Sequence, residues 1–200
     1  INACGTTQTP ARSFTTATSN AFCSSPDLPF SSSSPASDNL VIPQSGAITS
    51  MDVSLDISHT WVGDVQLSLV NQQTSTSVLL VDRPGHPALG NFGCASNDFL
   101  TTLSDSHTTP VENQCSATPP AVAGMLAPQN PLSAFNGEDL AGTWTLQAVD
   151  TQTGDAGVIN QWCILPSQVP EPGSALLLVS GILFMCGERH IRGRRRRGRS

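Results

Sequence analysis

Met51-Asp52-Val53-Ser54-Leu55-Asp56-Ile57-Ser58-His59-Thr60-Trp61-Val62-Gly63-Asp64-Val65-Gln66-Leu67-Ser68-Leu69 decides the fold class. In its first half Met51, Val53, Leu55 and Ile57 are apolar, and Asp52, Ser54, Asp56 and Ser58 between them are polar. A strand sends successive side chains to opposite faces, so this segment is a strand with one buried face. Val65, Leu67 and Leu69 resume the alternation after Gly63-Asp64. That pair reads as a turn, with Gly63 free to take positive φ and Asp64 capping it.

The same signal recurs further out. Trp144, Leu146 and Ala148 alternate, and Val158-Ile159 and Trp162-Cys163-Ile164-Leu165 supply the last strands before Pro166. Val78-Leu79-Leu80-Val81 is a short apolar run. It reads as a strand buried on both faces, although periodicity leaves a helical turn open. Residues 85–135 are dominated by Gly, Asn, Asp and Pro and read as loop-rich. The chain has neither tyrosine nor lysine and is rich in Ser, Thr, Gly, Pro and Asn, which suits short strands and many turns. The expected fold is therefore all-β, a jelly-roll-like β-sandwich over residues 40–166. Residues 1–39 form an extended Ser/Thr-rich segment, in which Phe30-Ser31-Ser32-Ser33-Ser34-Pro35 reads as flexible linker or extended edge.

Charge divides the chain. Seven of nine arginines lie between Arg189 and Arg199, whereas residues 1–168 hold two arginines against thirteen acids, a net of −11. So acidic a surface repels phosphates, which excludes a nucleic-acid partner and favours cations. The chain opens on Ile1, without a charged-then-apolar leader. Either a signal peptide has been removed or the sequence is a fragment, and an upstream domain fits the second case.

The C-terminal region has three parts. Val169-Pro170-Glu171-Pro172 excludes regular helix and, with residues 167–168, forms a Pro-rich linker. Residues 173–187 carry only Ser174 and Ser180 as polar side chains. As a helix they reach roughly 22 Å, short of the roughly 30 Å hydrocarbon core, so they span a membrane only marginally. The Arg-rich tail, residues 188–200, belongs on the cytoplasmic side. Together the motif at Val169, Pro170, Glu171 and Pro172, the apolar segment and the Arg run resemble a PEP-CTERM sorting signal. The resemblance implies export through the inner membrane of a Gram-negative bacterium. It further implies processing by an exosortase-type membrane protease and association with extracellular polymer, with a transient or retained anchor.

Three patches of the body resemble the P/Homo B domain that follows the catalytic domain of kexin- and furin-like proteases. The first is His59-Thr60-Trp61-Val62-Gly63-Asp64-Val65, and the second is Leu80-Val81-Asp82-Arg83-Pro84-Gly85. The third runs from Leu132 through Phe135-Asn136-Gly137, Gly142-Thr143-Trp144, Asp150, Gly154-Asp155-Ala156-Gly157 and Trp162. The resemblance covers about residues 40–165. It implies a non-catalytic β-domain, either free-standing or packed against a serine endopeptidase domain upstream. Asn136-Gly137 and Gly154-Asp155 read as turns, and Trp144 and Trp162 as core.

His59 near Asp64 invites a hydrolase reading, but no Gly-x-Ser-x-Gly nucleophile elbow occurs, and the histidines lack zinc spacing. No catalytic residue is assigned. Loop carboxylates and amides suit calcium, and the candidate ligands are Asp64, Asn97, Asp98, Asp105, Asp150 and Asp155. Related bacterial domains often carry an acidic run where this chain has Ser104-Asp105-Ser106-His107, which removes some ligands. Scattered cysteines in an exported protein point to disulfides. Cys94 and Cys115 bracket one long loop and form the first expected bridge. Cys163 could meet Cys23 or Cys4; Cys23 is favoured, leaving Cys4 odd.

Overall fold

The computed structural model describes residues 21–168. Ten strands make two sheets. In chain order they are β1 (Phe22–Ser24), β2 (Leu28–Ser31), β3 (Ala36–Ile42), β4 (Ile48–His59), β5 (Val65–Asn71), β6 (Thr76–Asp82), β7 (Phe99–Leu103), β8 (Val122–Leu126), β9 (Gly142–Asp150) and β10 (Ala156–Gln168). One sheet runs β1-β10-β4-β7-β8, with β2 also pairing β10, and the other runs β3-β9-β5-β6. All pairings are antiparallel except β7 with β8. With β1 and β8 set aside as edge additions, the orders β2-β10-β4-β7 and β3-β9-β5-β6 are those of a jelly roll, two interlocked Greek keys.

The alternating residues of the opening stretch do what their period requires. Val53, Leu55 and Ile57 of β4 and Val65, Leu67 and Leu69 of β5 join Trp144, Leu146, Ile159, Trp162 and Ile164 in one buried cluster fed by both sheets. Trp144 and Trp162 lie wholly in this core, as expected. Each finds a partner for its indole N–H: Trp144 donates to the Leu140 carbonyl (2.9 Å) and Trp162 to Asp38 Oδ2 (2.7 Å). A bulge at Asn160 lets Ile159 and Trp162, an odd number of residues apart, both face inward.

Several expectations need correction. The Val78–Val81 run is a strand, β6, at the edge of its sheet, but it is not fully buried on both faces, since Leu79 is only half-buried. A register shift opposite Leu67/Ser68 leaves Leu80 unmatched, so Leu80 and Val81 both turn inward and mimic a two-sided strand. Residues 85–135 are loop-rich as expected, and the loops carry two short strands, β7 and β8. Residue 40 falls inside β3, and residues 22–39 contribute β1, β2 and part of β3, so these residues belong to the sheets and are not a separate linker. Gly63 does not take positive φ. Its role is close approach, since a Cβ there would lie 2.3 Å from both the Cys94 amide nitrogen and the Phe92 carbonyl oxygen.

Both favoured disulfides are present. Cys94–Cys115 closes the long loop, and Cys23–Cys163 joins directly opposed residues of β1 and β10. Cys4, the Val169-Pro170-Glu171-Pro172 motif, the expected helix over 173–187 and the Arg tail lie outside the described residues. Among the described residues no helix is long and apolar enough to cross a membrane.

Candidate cation-binding site

β4 ends at His59, and the chain crosses to the other sheet through Thr60, Trp61 and a 3-10 turn, Val62–Asp64, before entering β5. The loop carrying Cys94 braces this corner. Gly63 N–H donates to the Cys94 carbonyl (3.0 Å), Val62 N–H to that of Ser96 (2.9 Å) and the Trp61 indole to that of Phe92 (2.6 Å). On the other side, Thr151 donates to the Asp64 carbonyl through its N–H (2.8 Å) and its hydroxyl (2.9 Å). Strand register then gathers the side chains. His59 lies opposite Gly157 on β10, and Val65, next to Asp64, lies opposite Asp150 on β9.

The result is a group of buried His59, Asp64 and Asp150 with half-buried Asp155. One ligand atom each from His59, Asp150 and Asp155 lie within 4.8 Å of one another. His59 is 1% and Asp150 2% exposed. The imidazole stacks on Phe30 with centroids 5.4 Å apart. Gly157 makes room for it, since a Cβ there would sit 2.5 Å from His59 Cδ2. Nδ1 lies 2.9 Å from the Trp61 carbonyl oxygen and 3.1 Å from the Trp61 amide nitrogen. Nε2 lies 3.7 Å from Asp150 Oδ2, beyond hydrogen-bond range. His59 Nε2, Asp64 Oδ1, Asp150 Oδ2 and Asp155 Oδ1 are all buried without a hydrogen-bond partner.

Uncompensated charge shows in the titration of Asp64. Burial, then the neighbouring carboxylates of Asp155 and Asp150, push its pKa up to about 6 against the opposing pull of Arg83 and His59. Beside the cluster, Trp61, Phe92, Gln152, Thr153 and Gly154 line an open cavity of about 610 Å³ that Asp64 and Asp155 also reach.

Of the six candidate calcium ligands, Asp64, Asp150 and Asp155 come together here. Asp98 lies beside His59, but its Oδ1 accepts the His59 N–H (3.0 Å), and its own N–H donates to the His59 carbonyl (3.0 Å). Asn97 carries a backbone contact from Ala121 (2.6 Å). Asp105 is elsewhere, with its carboxylate accepting the N–H groups of Leu132 (2.8 Å) and Ser133 (2.7 Å) at the start of a 3-10 turn. Sequence spacing missed the membership of His59, because ninety residues separate it from Asp150 and only the strand register joins them. The asparagine and glycine motifs act as turns: Gly137 and Gly154 both take positive φ, and Gly142 does so against the Gln73 side chain. Phe135 packs edge-on against Trp144, and Thr143 N–H donates to Gln73 Oε1 (2.9 Å).

A two-sheet sandwich with this corner and these turns defines a class. The chain belongs to the proprotein convertase P-domain family, whose family model matches residues 48–165. Among solved structures, it is similar to the serine protease of Aeromonas sobria in complex with the chaperone ORF2 (13% identity, TM-score 0.49, covering 76% of this chain and 27% of that one). It is likewise similar to the Aeromonas sobria serine protease solved without the chaperone (13%, 0.47, covering 72% and 26%). The chain thus spans about a quarter of the length of those structures. No curated protein matches it.

Proposed function

We propose that the chain is an exported, non-catalytic binding or structural module, delivered to the cell envelope or extracellular matrix by its PEP-CTERM-like tail. The observation that supports this reading most is the pair of disulfides, Cys23–Cys163 and Cys94–Cys115, which suit an oxidising compartment. The motif at Val169–Pro172 supplies the route: passage through the inner membrane, then cleavage by an exosortase-type protease. Chemistry at His59 is not part of this reading: Nδ1 faces the backbone of Trp61, and Nε2 faces the Asp150 carboxylate.

Intact mass spectrometry of the protein exported by its native host tests delivery. A C-terminus near Pro170–Gly173 is expected; retention of residues through Ser200 overturns the sorting reading. A second reading is favoured by family membership: a stabilising domain at the C-terminal side of a subtilisin- or kexin-like serine endopeptidase. Reading the gene upstream of Ile1 separates the two. A signal peptide within about thirty codons supports the free-standing module, and a catalytic domain with an Asp, His and Ser triad supports the protease companion.

A further inference from the structure

A buried polar atom without a partner costs about 1–3 kcal/mol, and more when charged. Four such atoms lie here, on His59, Asp64, Asp150 and Asp155, and one ligand atom each of His59, Asp150 and Asp155 lie within 4.8 Å of one another. Three carboxylates meet one imidazole and one guanidinium, and Arg83 already donates to the carbonyls of Gly63 and Asn91. The 3.7 Å gap from His59 Nε2 to Asp150 Oδ2 is too long for a hydrogen bond. It suits two ligands of one cation at bond lengths of roughly 2.0–2.5 Å.

We propose that His59 Nε2 and the carboxylates of Asp150 and Asp155 bind a divalent transition-metal ion of the Zn²⁺ or Mn²⁺ kind, with Asp64 as the outer carboxylate. The imidazole selects the metal. Calcium prefers oxygen ligands alone, whereas imidazole suits borderline transition metals. Nδ1 faces both backbone groups of Trp61, and it accepts the Trp61 N–H (3.1 Å) when the proton sits on Nε2. Metal binding selects the other tautomer: Nδ1–H then donates to the Trp61 carbonyl (2.9 Å), a backbone partner of the kind metal-bound histidines commonly have, and the Nε2 lone pair faces Asp150. Phe30 stacking and the missing Cβ of Gly157 hold the ring plane. The ion would join the end of β4 to the β9–β10 connection across both sheets. The inference stands whether or not the tail is processed.

The test uses the full chain, stripped with chelator and titrated separately with ZnCl₂, MnCl₂ and CaCl₂ under thermal melting. At about a hundredfold excess over Kd, Zn²⁺ or Mn²⁺ should raise Tm by about 5–10 °C, with Ca²⁺ far weaker. Co²⁺ should give visible d–d bands. Asp155→Asn, at a half-buried residue whose carboxylate accepts only a long bond from Thr60 Oγ1 (3.4 Å), keeps the fold and should weaken Zn²⁺ or Mn²⁺ binding at least about tenfold. His59→Gln should abolish the preference over Ca²⁺ and the Co²⁺ bands. If His59→Gln fails to fold, the Asp155→Asn comparison and the Co²⁺ spectrum still decide. No shift with any ion overturns the proposal, and so does an equal shift in Asp155→Asn. Ca²⁺ binding as tight as Zn²⁺ and Mn²⁺ binding overturns it too, because the imidazole is then not a ligand. A doubly protonated His59 ring at pH 7 by ¹⁵N NMR in the presence of metal, marking a plain ion pair with Asp150, overturns it as well.

Discussion

Glu112→Gln should stabilise the protein at neutral pH and not in acid. Glu112 sits in a 3-10 turn, Val111–Asn113, against the end of β6. Its Oε1 accepts the Asp82 N–H (2.7 Å), while Oε2 is buried without a partner. Burial is the main cause that raises its pKa from 4.5 to about 7; the Asp82 charge adds to the rise, and the Asp82 N–H opposes it. Below pH 4.5 the group is protonated folded and unfolded, and no penalty arises. Between 4.5 and 7 only the unfolded chain ionises, so folded protein holds more protons and stability falls as pH rises. Above 7 the loss is complete. The full displacement corresponds to roughly 3 kcal/mol, and partial exposure of the carboxyl screens it to about 1–2 kcal/mol. Glutamine keeps the oxygen that accepts from Asp82 and removes the charge. Thermal melts of both proteins from pH 4 to pH 8 should therefore show a Tm advantage for the variant of about 3–6 °C at pH 8, vanishing near pH 4. Asp64 titrates in both proteins and cancels from the difference. A difference independent of pH, or a less stable variant at pH 8, would refute the reasoning.

Gly157→Ala should cost about 1–3 kcal/mol in urea denaturation, because its Cβ meets the His59 ring, the Phe30 ring and the Ser58 carbonyl within 2.6 Å. Replacing Cys94 and Cys115 together by alanine should cost about 3 kcal/mol, from the loop-closure entropy of a bridge spanning 21 residues; an unchanged urea midpoint would contradict this. Asp105→Ala should lose about 1–3 kcal/mol through the unpaired N–H groups of Leu132 and Ser133, and added Ca²⁺ should leave that loss unchanged. A loss that depends on Ca²⁺ would restore Asp105 as a ligand.

What could be read in advance follows from how each strand meets water. β4 and β5 were legible because one face is core and the other polar, so period two survives in the sequence. β7 hid because Leu100 stays exposed beside buried Phe99, which breaks the alternation. β8 hid behind Gly124 and exposed Met125. β3 places exposed Val41 beside buried Ile42, and its middle is Ser37-Asp38-Asn39, so nothing marked it as a strand except its neighbour β9. The site divides in the same way. Asp64, Asp150 and Asp155 stood out as loop acids, but their convergence is a matter of register between β4 and β10 and between β5 and β9. Asp105 looked identical to them, and only the fold shows it tied to a backbone turn.

The bridge between Cys23 and Cys163 also has a mechanical meaning. It joins the strand by which the chain enters the sandwich to the strand by which it leaves, 140 residues later in sequence but directly opposed in the sheet. Tension applied to the chain on either side of these two residues passes through one covalent link between β1 and β10. The folded body between them carries none of that pull. Stretched from outside the bridge, the domain should lengthen by only a few residues before force reaches the disulfide, whereas under reduction the whole sandwich becomes available to unravel. Redox state, more than core packing, would then set how the domain behaves as a link in a chain held at both ends.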